Sequence, residues 1–109
     1  MDKLIKKLSP LTEATFYTLL SLHEPLHGYG IIKKVEAMTN ERVKLAAGTL
    51  YGVLSTLQKH ELIVLEREEE SNKKKKIYKI TDLGKELIEY EMARLSEMLE
   101  NARQEVQDE

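Results

Sequence analysis

The fold is decided by one stretch, Ala46-Ala47-Gly48-Thr49-Leu50-Tyr51-Gly52-Val53-Leu54-Ser55-Thr56-Leu57-Gln58-Lys59-His60, together with the two apolar runs that follow it, Leu62-Ile63-Val64-Leu65 and Lys76-Ile77-Tyr78-Lys79-Ile80-Thr81. Leu50, Val53, Leu54 and Leu57 recur at helical spacing and predict a helix from Ala46 to His60 with a buried stripe. Gly48, Thr49, Gly52, Ser55, Thr56 and Lys59 fall on its other side, which is small, hydroxylic and basic, with no carboxylate until Glu61. A helix face that is merely solvated usually carries mixed charge. The two apolar runs are strand-like and separated by a polar stretch around Ser71-Asn72, so they read as a β-hairpin.

Upstream, Ser9-Pro10-Leu11-Thr12-Glu13 has the form of a helix start, with serine as cap, proline at the first helical position and an acid near the positive end. That first helix is expected to reach about Leu22, with a turn over His23 to Gly28 and a second helix from Gly30 to Met38. Arg42-Val43-Lys44-Leu45 alternates basic and apolar residues and suits a short strand. Downstream, Thr81-Asp82 caps a long last helix. Its apolar residues Ile88, Met92, Leu95, Leu99, Ala102 and Val106 average a 3.5-residue repeat, the spacing of a seam facing a partner helix. Packing of this stripe on the chain's own first helix is the plainer alternative.

Three helices followed by a hairpin is the plan of a winged helix-turn-helix. The expected fold is mainly α with a β-hairpin wing, as a winged helix-turn-helix over residues 1–81 and a C-terminal dimerisation helix over residues 82–109.

With 109 residues, 41% of them hydrophobic, there is material for one small core, and burial between two subunits would add to it. The net charge of −2 conceals a division: residues 1–80 carry +4 and residues 81–109 carry −6. A basic head on an acidic arm fits a protein that lays one face on phosphates. The densest basic run is Lys73-Lys74-Lys75-Lys76 at the hairpin tip. Glu66, Glu68, Glu69 and Glu70 on the opposite strand offer those lysines cross-strand partners, so a self-neutralised hairpin stands beside a phosphate-binding wing.

Other function classes find little support. There is no cysteine, which excludes disulfides, thiolate nucleophiles and cysteine-ligated metals. His23 and His27 are four apart, but Pro25 between them argues against a shared helix face, and no further ligand stands at a supporting spacing. No catalytic constellation or phosphate-cradling glycine loop occurs, so neither enzyme activity, metal nor cofactor is expected. No apolar run approaches a membrane span, and Met1 to Leu8 lacks the form of a secretory leader, so a cytoplasmic protein without membrane association is expected.

His27-Gly28-Tyr29-Gly30-Ile31-Ile32, Gly48-Thr49-Leu50-Tyr51, Leu62-Ile63 and Lys76-Ile77-Tyr78-Lys79-Ile80-Thr81-Asp82-Leu83-Gly84 together resemble the PadR family of bacterial transcriptional regulators over about residues 11 to 88. The short chain resembles the smaller subfamily, which has a single C-terminal dimerisation helix. The resemblance implies a homodimeric repressor of pseudo-palindromic promoter DNA. On this reading Gly48 and Thr49 meet a phosphate where the third helix begins, Gly52, Ser55 and Lys59 face the bases, and Tyr29 and Tyr51 contact the backbone. Lys33, Lys34 and Lys44 are phosphate candidates, as are Lys73, Lys74, Lys75 and Lys76 of the wing. Because Gly52 offers no side chain, readout there is expected to rest more on Ser55, Lys59 and DNA shape. The resemblance further implies a small apolar or aromatic effector, in a pocket lined by Phe16, Leu19, Met92, Leu95 and Leu99; the same residues also suit coiled-coil core. The rival reading is a winged-helix module that binds protein rather than DNA.

Overall fold

The computed structural model describes residues 2–70 and 75–107. Its elements are α1 (Asp2–Leu8), α2 (Glu13–Ser21), α3 (Gly28–Met38), α4 (Ala47–Lys59), β1 (Ile63–Glu69), β2 (Lys75–Ile80) and α5 (Asp82–Val106). The winged helix-turn-helix expected from the sequence is present, and the helix expected third is α4, because a further helix, α1, precedes the others.

The core is built from the stripes that the periodicity marked. Leu19 and Leu22, Ile31 and Val35 of α3, and Leu50, Leu54 and Leu57 of α4 are each at most 2% exposed. Ile5 of α1, Ile63 and Ile80 of the hairpin, and Leu87 and Ile88 of α5 close the same cluster. Burial of each such side chain contributes about 1.5–3 kcal/mol, which offsets the chain entropy lost on folding.

Two boundaries differ from the sequence expectation. The helix expected to start at Ser9-Pro10 starts at Glu13, because Thr12 rather than Ser9 is the cap and accepts from the Thr15 amide at 3.2 Å. Ser9 instead donates its hydroxyl to Glu91 of α5. The strand expected at Arg42 to Leu45 is absent. β2 has two edges, one paired with β1 and the other taken by the α2–α3 turn, where Leu26 and Tyr78 exchange backbone bonds at 3.1 and 2.9 Å and the Ile80 amide donates to Leu22 at 2.8 Å. No ladder edge remains there for residues 42–45, and Leu45 serves as a core side chain.

The helix exits hold this arrangement in register. At the end of α4 the Leu62 amide donates to the Leu57 carbonyl at 2.9 Å and the Glu61 amide to Gln58 at 3.0 Å, with Glu61 at φ 59°, a Schellman ending that turns the chain into β1. Thr81 then caps α5, accepting from the Gly84 amide at 3.1 Å while donating to the Glu61 carbonyl at 2.8 Å. A Cβ on Gly84 would lie 2.3 Å from the Leu62 carbonyl oxygen and 2.6 Å from Ile80 Cγ1, so α5 can approach the hairpin base only through glycine.

Candidate nucleic-acid interface

α4 presents the carboxylate-free face intact. Gly48, Thr49, Tyr51, Gly52, Ser55, Thr56 and Lys59 are all exposed, while Leu50, Leu54 and Leu57 bury the opposite side. A Cβ on Gly48 or Gly52 would meet nothing within 4 Å, so no contact within the chain requires glycine at either position. Gly52, inside the helix, nevertheless costs about 0.8–1 kcal/mol of helix stability relative to alanine. Thr56 is committed to its own helix, donating its hydroxyl to the Gly52 carbonyl at 3.2 Å.

Beside this face the fold brings together residues distant in sequence. Tyr51 of α4, Tyr29 at the start of α3, and Lys75 and Lys76 of β2 line one groove of about 670 Å³. Tyr29 and Tyr51 are 62% and 59% exposed, so their rings are walls of that groove rather than core. Lys33 places its Nζ 5.6 Å from the centre of the Tyr29 ring, within cation–π range, which joins it to the same edge.

The other lysines divide. Lys34 is occupied, 2.8 Å from Glu24 Oε1 and 3.3 Å from the Ser21 carbonyl. Lys44 lies 3.5 Å from Glu41 in an exposed pair, which leaves it open to a stronger partner. Lys73 and Lys74 fall outside the described residues. On the hairpin, Glu69 stands opposite Lys75 and Glu68 opposite Lys76, so the cross-strand placement expected from the sequence is there. Among the described residues, however, the hairpin ion pairs within 4 Å are those of Arg67, with Glu66 at 2.6 Å and Glu69 at 3.9 Å. A bulge between Leu65 and Arg67 sets Glu66 out of register.

The expected seam on α5 is split by burial. Ile88 is 3% exposed and belongs to the domain's own core, so it is not available to a partner helix. Met92, Leu95, Leu99 and Val106 are 42–63% exposed, and Ala102 is exposed with them. Met98, 54% exposed, widens the stripe; its i+3 spacing from Leu95 was the available signal, hidden by the stricter heptad. Of the expected pocket residues, Phe16 and Leu95 do share a groove of about 330 Å³ with Leu11 and Tyr17. Leu19 is fully buried, and neither it nor Met92 nor Leu99 is among the walls of that groove.

At the floor of that groove Glu91 is 1% exposed and fully engaged. It accepts from Arg94 Nε at 2.8 Å, from the Leu11 amide at 2.8 Å and from the Ser9 hydroxyl. The Arg94 guanidinium does most to hold its carboxyl down, to about 2, against the opposing effect of burial, with Ser9 and Leu11 helping. Sequence reasoning passed over Glu91, because a lone acid on a charged helix gives no sign of being buried. His27 and Tyr78, two further walls of the larger groove, were likewise passed over as site residues; only the pairing of Leu26, in the α2–α3 turn, with Tyr78 of β2 brings them together.

Comparison with known proteins agrees with this geometry. No curated protein sequence matches the chain. Among solved structures, a PadR family transcriptional regulator from Eggerthella lenta is similar with a TM-score of 0.72 and 21% identity, covering 95% of this chain and 86% of that one. A PadR-like transcription factor from Bacteroides fragilis has a TM-score of 0.70 and 26% identity over 94% of this chain and 93% of its own. Bacillus subtilis PadR, solved with operator DNA, has a TM-score of 0.61 and 24% identity over 69% of this chain and 44% of that chain. The profile of the transcriptional regulator PadR-like family matches residues 16–90. The chain therefore belongs to the PadR-like family of transcriptional regulators.

Proposed function

We propose that this protein is a homodimeric, sequence-specific DNA-binding regulator in the cytoplasm that represses a promoter near its own gene. α4 enters the major groove with Gly48, Thr49, Gly52, Ser55 and Lys59 toward the DNA, and Lys75 and Lys76 of the wing meet backbone phosphates, with Tyr29, Tyr51, Lys33 and Lys44 beside them. The exposed stripe from Met92 to Val106 pairs with its counterpart in a second copy and sets the two reading helices about one DNA turn, roughly 34 Å, apart. Residues 1–81 thus supply the reading head and residues 82–109 the arm, with the first turns of the arm also completing the head's core. The groove of Leu11, Phe16, Tyr17 and Leu95, whose other walls are Glu13, Glu91 and Arg94, receives a small apolar or aromatic effector that releases the DNA.

The observation that carries this reading is the outer face of α4, exposed, without a carboxylate and flanked by a groove holding Tyr51, Lys75 and Lys76. A protein-binding helix would show larger apolar groups there. The operator complex of Bacillus subtilis PadR lends support by likeness.

A titration of the protein against its own upstream DNA at two salt concentrations tests it. Affinity should fall steeply with salt, and replacing Lys75 and Lys76 by alanine should weaken binding to all sequences alike and flatten the slope by about 2. Absence of binding, or binding indifferent to salt, would overturn the reading in favour of a protein partner.

A further inference from the structure

We propose that the groove between α3, α4 and β2 holds one phosphodiester of the DNA backbone, and that His27 makes this contact pH-dependent. The inference rests on the DNA-binding reading above. The hollow, about 670 Å³, draws its walls from three directions: His27 and Tyr29 from the start of α3, Tyr51 from α4, and Lys75, Lys76 and Tyr78 from β2. Two lysines, three tyrosines and one histidine therefore line it, and among the described residues no carboxylate does. Such a set offers donors and positive charge without an internal counterion, which is what a phosphate requires.

His27 is placed for this role by what it does not do. It occupies the cap position of α3 in extended backbone, φ −90° and ψ 171°, yet its side chain makes no capping bond. The ring lies instead against Gly30, where a Cβ would come within 3.5 Å of His27 Cε1 and 3.6 Å of Nδ1. Gly28 makes the matching space for Tyr51, whose Oη would lie 3.0 Å from a Cβ at that position. Two glycines in the first turn of α3 thus seat two walls of the same groove.

The groups facing His27 are Tyr29 on its own helix, Tyr51 on α4, and Lys75, Lys76 and Tyr78 on β2. Among the described residues none of these is an acid, so a bound phosphate would be the counterion to the positive charge of this groove. Histidine is the side chain that gains charge as the pH falls from about 8 to about 5. A histidine in the wall of a phosphate-binding groove ties that contact to pH, and DNA affinity should rise as the pH falls.

Anisotropy titrations of a labelled upstream duplex at about pH 6 and about pH 8, at fixed ionic strength, test this on the wild type, His27→Gln, His27→Asn and, as control, His23→Gln, whose ring nitrogen lies 2.9 Å from the Leu20 carbonyl outside the groove. Asparagine is a favoured helix cap, so at least one replacement retains the fold by circular dichroism. The wild type and the His23 variant should bind about fivefold more tightly at the lower pH, with a salt slope steeper by about 1. The His27 variants should lose most of that ratio. An equal ratio in the wild type and a folded His27 variant would overturn the inference while leaving DNA binding intact. Absence of binding at both pH values would overturn both.

Discussion

Glu91, midway along α5, accepts a hydrogen bond from the Leu11 amide at 2.8 Å and so fastens the long helix to the segment that leads into α2. Arg94, one turn on, braces the same carboxylate at 2.8 and 3.1 Å. The joint stands between the buried Leu87 and Ile88 of α5 and the exposed stripe that begins at Met92.

Stability should therefore fall in acid through this residue. Glu91 is held at about 2 when folded, below an ordinary value of 4.5. Its contribution is complete above about pH 4.5 and is lost as the pH drops from there toward 2. Arg94 is 27% exposed, so solvent screening reduces the effect, and a loss of about 1–2 kcal/mol is expected. Urea denaturation of wild type and Glu91→Ala between pH 3 and pH 6 checks it: the variant should be less stable at the upper end and should approach the wild type at the lower.

Gly84→Ala should be among the most damaging single changes in the chain. The obstacle at 2.3 Å is the Leu62 backbone carbonyl, which cannot swing aside like a flexible side chain. Moving α5 away would open the contacts of Leu87 and Ile88 with the core, at a cost of about 3 kcal/mol or more. A thermal melt within a degree or two of the wild type would contradict this account.

Gly52→Ala should have opposite effects on stability and binding. Space is open around a Cβ there, and alanine favours helix by about 1 kcal/mol, so the melting temperature should rise. If α4 lies against DNA at this turn, the same methyl should reduce affinity for the operator. A more stable variant with unchanged affinity would show that Gly52 faces solvent in the complex.

If the exposed stripe of α5 pairs two copies as proposed, Leu99→Glu should convert the dimer to monomers without unfolding the head. Leu99 is 54% exposed and takes no part in the core cluster, so the loss should fall on the proposed interface. Sedimentation equilibrium with a thermal melt separates the two effects. Truncation after Tyr90 is a poorer experiment, because it deletes Glu91 and so disturbs the head as well.

Much of this protein was legible without coordinates because local periodicity carried it. The stripe of Leu50, Leu54 and Leu57 faces the core as its spacing required, the hairpin follows, and α5 begins at its Thr81 cap. The heptad spacing of α5 was legible too, but spacing alone does not say which member lies over the head and which beyond it. Ile88 is buried and Met92 exposed because the hydrophobic core ends between them.

By itself, then, the sequence determined the helices from α2 to α5, the hairpin and the carboxylate-free outer face of α4, since each follows from residue types a few positions apart. Tertiary structure alone decided the rest. It withheld a strand from residues 42–45 by filling the second edge of β2 with Leu26, and moved the start of α2 to Glu13, behind the Thr12 cap, by engaging Ser9 and Leu11 with Glu91. It also gathered His27, Tyr51 and Lys76 around one groove. Hydrogen-bond edges, buried charges and groove walls depend on groups dozens of residues apart, and their partners exist only once the chain has packed.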